Sequence, residues 1–76
     1  MRATLRDVRR ELVRLFSLDE LRVLASDVGV DWDELSGGNK ASRAQGLVEA
    51  CMRRSLWQGL IEQARLARPN GDWPAA

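Results

Sequence analysis

Carboxylates and guanidinium groups are the side chains of this 76-residue chain that can do chemistry: 12 Lys and Arg stand against 11 Asp and Glu, and histidine is absent. Their spacing points to hydrogen bonding of the backbone rather than to proton transfer. Ser17 to Glu20 and Asp31 to Glu34 have the form of two capping boxes, with Phe16 and Leu21 flanking the first and Val30 and Leu35 the second. In such a box the first side chain accepts from the backbone N–H three residues on, and the Glu reaches back to the N–H of the cap. The flanking apolar pair sets the angle at which the chain enters the helix. Gly29 stands where the first of these helices should stop, in the left-handed conformation that glycine adopts without strain. FSLDELRVLASDVGVDWDEL therefore reads as a helix, a one-residue stop and a short helix.

Catalysis finds no foothold in the same inventory. The chain has no histidine base, Gly-rich phosphate loop, metal-ligand spacing or nucleophile elbow, and the neighbouring carboxylates Asp33 and Glu34 are explained by capping. An enzyme is not expected, nor a cofactor or a metal. The single cysteine, Cys51, excludes an internal disulfide, and its place on a predicted core face makes it a small buried hydrophobe.

The remaining chemistry is recognition between unlike charges. Residues 1–16 carry a balance of +3, residues 17–36 carry −5 and residues 37–76 carry +3, so a net charge of +1 hides a strongly polar molecule. Placed on helices at about 100° per residue, Arg6, Arg10 and Arg14 form a stripe on the first helix away from its core face. Arg53 points outward from a later helix and Asp19 from the second, Asp27 flanks that second helix, and Asp33 falls in the short one. Complementary patches on separate surfaces favour head-to-tail contacts, which propagate into rings or filaments. Exposed ion pairs are worth only about 0.2–1 kcal/mol each, so charge sets register and on-rate while an apolar anchor holds the contact. Trp32 and Val23 are the candidate anchors.

Positioning these groups falls to helices. Leu5, Val8, Leu12 and Leu15 form one apolar stripe, with Thr4 as its N-cap; Leu21, Leu24, Ala25 and Val28 form a second. The spacing recurs as Ala44, Leu47, Val48 and Cys51, and again as Trp57, Leu60, Ile61 and Ala64. Ser36-Gly37-Gly38-Asn39 breaks the chain into a loop, Ser55 separates the last two stripes and is placed to cap the fourth, and Pro69 ends it. Residues 1–69 thus make one helical domain, and residues 70–76, Trp73 among them, read as a linker or disordered tail. No apolar run approaches the roughly 20 residues that span a bilayer and no leader of signal-peptide type is present, so the expectation is a cytoplasmic protein without a membrane partner.

Helices of about 11, 11, 4, 15 and 13 residues joined by short loops predict an all-α, compact antiparallel bundle. From Leu12 to Pro69, the stretch FSLDELRVLASDVGVDWDEL, the loop through Lys40, LVEACMRRS and LIEQARLARP resemble the bacterial effector-associated domains, also described as bacterial death-like domains. The order and lengths of the helices are similar to those of the eukaryotic death-effector domain, with its short third helix. The Arg-x-Asp-Leu motif of the eukaryotic domains has no counterpart near the C-terminus. The resemblance implies a death-fold bundle of five or six helices that pairs with itself or with another death-like domain. Such pairing would bring fused or recruited effectors together in bacterial conflict or immune signalling. A contrasting reading, a SAP-like nucleic-acid-binding module, follows from LDELRVLASDVGV, a loop and LVEA. Its reading segment would lie in the −5 block, which repels phosphate, so nucleic acid is not the expected partner.

Overall fold

Phe16 and Leu21 are both buried, and between them the first capping box is complete. The Ser17 hydroxyl accepts from the Glu20 N–H at 3.1 Å, and a Glu20 carboxylate oxygen accepts from the Ser17 N–H at 2.8 Å. This box starts the second of four α-helices in the computed structural model, which describes residues 5–35 and 37–74. They are α1 (Leu5–Leu15), α2 (Leu18–Val28), α3 (Lys40–Arg53) and α4 (Trp57–Ala67), with a 3₁₀ turn (Trp32–Glu34) between α2 and α3. No strand occurs among the described residues.

The count departs from the expected five or six. The short third helix is a single 3₁₀ turn, and no sixth helix appears among the described residues. The cause lies in the second capping box, of which only part forms. Asp31 accepts from the N–H of Asp33, two residues on, at 3.0 Å, instead of from Glu34 three residues on. The Glu34 N–H bonds the Asp31 carbonyl, an i to i+3 closure that winds tightly and does not propagate. Val30 and Leu35 still straddle the turn as buried apolar plugs, so the flanking pair works where the box does not.

Helix ends account for the loops. At the end of α2, the Val30 N–H bonds the Ala25 carbonyl at 2.8 Å and the Gly29 N–H bonds that of Ser26 at 3.1 Å, with Gly29 at φ +86°. The same paired closure ends α3, where the Leu56 N–H bonds Cys51 at 2.7 Å and the Ser55 N–H points to Met52 at 3.5 Å. There the left-handed residue is Ser55, at φ +58°. Ser55 therefore terminates α3 and does not cap α4, whose N-cap Leu56 has no side-chain bond. Asn39, in the glycine-containing loop, caps α3 by accepting from the Ser42 N–H at 2.9 Å. The expected cap Thr4 lies outside the described residues.

α1 packs mainly on α3 and α2 mainly on α4, and α3 joins the two pairs by touching both α4 and α2. Their four stripes meet in one core. Leu12, Leu21, Leu47, Leu60 and Ile61 are fully enclosed, with Val8, Val48 and Cys51 beside them. Burying a side chain of this size is worth about 1.5–3 kcal/mol, and the sum is what orders so short a chain. Trp57 is half-buried against this core, as its stripe predicts, and so is Trp73, which the sequence places in the tail.

Candidate interaction surfaces

Residues 70–74 fold back over α1 and α4. The Asp72 N–H donates to Glu11 at 2.9 Å, and the Trp73 indole N–H donates to the Arg68 carbonyl at 2.8 Å. The Trp73 ring meets Phe16 edge to face at 6.3 Å. Gly71 sits where a Cβ atom would come within 2.5 Å of the indole nitrogen, so only glycine fits between Trp73 and Leu15. Glu11 is the anchor of this return. It is buried on α1 and also takes both prongs of the Arg14 guanidinium at 2.8 Å. These donors, Arg14 first and the Asp72 N–H second, hold its carboxyl well below the usual range, at about 2.

The basic residues of the second half of the chain are engaged inside the molecule. Lys40 donates to the Phe16 carbonyl, Arg54 to that of Gly29 and Arg65 to that of Pro74, while Arg43 donates to Trp32 and Gly37. Arg68 bonds the Leu15 carbonyl and Glu20, and its guanidinium lies 4.7 Å from the Phe16 ring centroid. Three of these acceptors, Leu15, Phe16 and Gly29, lie at the C-terminal ends of α1 and α2 or just beyond, where carbonyls lack helical partners and the helix dipole favours a cation. Five of the six cations in residues 37–76 are thereby tied to backbone, and only Arg53 has no bonding partner among the described residues. The Ser17 N–H, and after it Arg68, lowers the pKa of Glu20.

Besides Arg53 on α3, the candidate groups for a partner are on α1, α2 and the 3₁₀ turn. Arg6 and Arg10 are exposed; Arg14 is exposed but paired with Glu11. Arg10 and Arg14 share a shallow depression with Arg9, Val13 and Ala41. Arg9 also faces Gln45, Gly46 and Glu49 farther along α3, so α3 runs antiparallel to α1. Arg53, at the other end of α3, is about 18 Å along its axis from Ala41 and outside that depression. Asp19, Asp27 and Asp33 are all exposed, their carboxylates without hydrogen bonds or ion pairs among the described residues. Of the two candidate anchors, Val23 is 60% exposed. Trp32 is half-buried, with the Arg43 guanidinium 5.0 Å from its ring centroid, so its face has an intramolecular partner.

Two residues that line these surfaces, Leu66 and Arg9, escaped the sequence reading. Leu66, 75% exposed, lies across α4 from the buried stripe, and with Val23 and Asp27 it lines a groove between α2 and α4. Its signal was legible: a leucine two residues past Ala64 falls about 200° from the core direction. Arg9 was likewise passed over, because it stands one residue outside the four-residue repeat of the Arg6 stripe. Cys51 is fully buried, and burial pushes its thiol up to about 11. Among the described residues no cluster of three or more metal-ligating side chains occurs, and no helix is long and apolar enough to cross a membrane.

The family model described as effector-associated domain 7 matches residues 5–69, from the start of α1 to just past the end of α4. No curated protein and no solved structure matches the chain.

Proposed function

The chain belongs to the effector-associated domain 7 family, and from that premise we propose that it is a non-catalytic adaptor which pairs with a copy of itself or with another death-like domain. By pairing it gathers the effectors attached to it or recruited by it, and raised local concentration is the signal. The setting in this reading is bacterial conflict or immune signalling in the cytoplasm. In this reading the 3₁₀ turn between α2 and α3 stands where the sequence resemblance expects the short third helix.

One observation carries the proposal: on the first two helices and the turn, the charges without a partner among the described residues differ in sign by element. On α1 they are Arg6, Arg9 and Arg10, while on α2 and the 3₁₀ turn the acids Asp19, Asp27, Asp33 and Glu34 outnumber the one cation Arg22. A solvated surface with no partner gains nothing from such sorting, whereas two copies meeting basic face to acidic face gain orientation and encounter rate. Arg53 and Trp32 are assigned to the rims of these faces.

Sedimentation velocity over a salt series tests the reading. Self-association that weakens as salt rises is expected, with charge reversal at Arg10 or Asp19 abolishing it and the paired reversal restoring it. A chain that stays monomeric at millimolar concentration and low salt, and binds no like domain, refutes it.

A further inference from the structure

Among the described residues four large apolar side chains are exposed, Leu18, Val23, Met52 and Leu66, and the two most exposed of these, Val23 and Leu66, line the same groove between α2 and α4. Within that groove Glu20 is neutralised by Arg68, which leaves Asp27 as its uncompensated charge. Asp19 and Asp27 lie four residues before and after Val23, so the α2 rim presents an acid, an apolar residue and an acid in one row. That row spans about 12 Å at the rise of an α-helix.

α1 carries a matching row. Arg6, Arg10 and Arg14 repeat at the same four-residue step over the same ~12 Å, with Arg9 and the half-buried Val13 beside them. Arginine stems cover apolar surface while their heads reach for carboxylates. A ridge of this kind laid along α2 would put guanidinium groups over Asp19 and Asp27 and aliphatic stems over Val23 and Leu66. The two surfaces have no residue in common, so each copy offers one of each.

Building on the like-with-like reading above, we infer that the groove between α2 and α4 is the seat for the α1 ridge of a second copy. The contact is head-to-tail: the apolar pair Val23 and Leu66 holds it and the charged rows set its register. An assembly built this way grows by addition at either end.

The test uses the full chain with Leu66→Glu and Val23→Lys to spoil the groove and Arg10→Glu to spoil the ridge. Both groove positions are exposed, so native melting by circular dichroism is expected for each variant. Each variant alone should bind itself at least ~10-fold more weakly than the parent, the loss typical of a central anchor. Mixing Arg10→Glu chains with Leu66→Glu chains should give a 1:1 dimer that grows no further, because only one intact groove and one intact ridge remain. Groove variants that associate as tightly as the parent, or a mixture that stays monomeric, overturn the groove assignment while self-association stands. A parent chain that is monomeric at millimolar concentration overturns the like-with-like reading as well.

Discussion

Replacing Glu11 by Gln keeps the shape of the side chain and an acceptor for the Asp72 N–H but removes the charge that Arg14 and that N–H stabilise. In the folded chain the Glu11 carboxyl titrates at about 2 against an ordinary 4.5. At 1.36 kcal/mol per pH unit, that interval corresponds to about 3.4 kcal/mol if nothing screens it. Glu11 is 9% exposed, but Arg14 on top of it is open to water, so about 2 kcal/mol is the expected loss at pH 7. In a domain of this size that corresponds to a fall in melting temperature of roughly 8–16 °C. Because the folded value is depressed, the stabilisation is fully present above about 4.5 and disappears as pH falls towards about 2. Urea unfolding followed by circular dichroism at several pH values should therefore show a gap between parent and Glu11→Gln that is widest at neutral pH and closed near pH 2. The Trp73 fluorescence environment should change in parallel, since the return of residues 70–74 hangs on the same carboxylate. A gap of equal size at both ends of the pH range would mean that packing, and not charge, is what the substitution removes, and would refute the reasoning.

Three further outcomes are expected. Ser55→Gly relieves a left-handed backbone that glycine adopts freely, and thermal melting should show a gain of about 0.5–1 kcal/mol; a loss would mean that the Ser55 side chain contributes something unaccounted for. Ser17→Ala removes the cap of α2 and should cost about 1 kcal/mol in urea unfolding, where an unchanged midpoint would show the box to be ornamental. Cys51, buried with its thiol pushed up to about 11, should be alkylated by iodoacetamide at neutral pH only as fast as the chain unfolds, and labelling at the rate of a free thiol would contradict its burial.

The four long helices were readable because their signals are local. Stripes at helical spacing, the box at Ser17 and the stop at Gly29 each act within one or two turns, and the structure meets them there. The 3₁₀ turn was less legible, since Asp31 and Glu34 carry the same spelling as a full capping box. The Asp31 side chain takes the N–H of Asp33 instead, between Val30 and Leu35, which are both held in the core. Ser55 shows the same limit at a helix end. Its role duplicates that of Gly29, yet nothing in a serine announces a left-handed backbone.

The candidate surfaces divide in the same way. By itself the sequence determined an all-helical chain and the sorting of charge into a basic, an acidic and a second basic block, because helix periodicity and charge count are properties of neighbours along the chain. Only the tertiary structure decided which charges remain for a partner. Lys40, Arg43, Arg54, Arg65 and Arg68 are drawn to backbone carbonyls, several of them far away in sequence, and Glu11 closes on a backbone N–H 61 positions later. A carbonyl left over at a helix end looks the same in every sequence, and it acquires a cation only when packing brings one within reach.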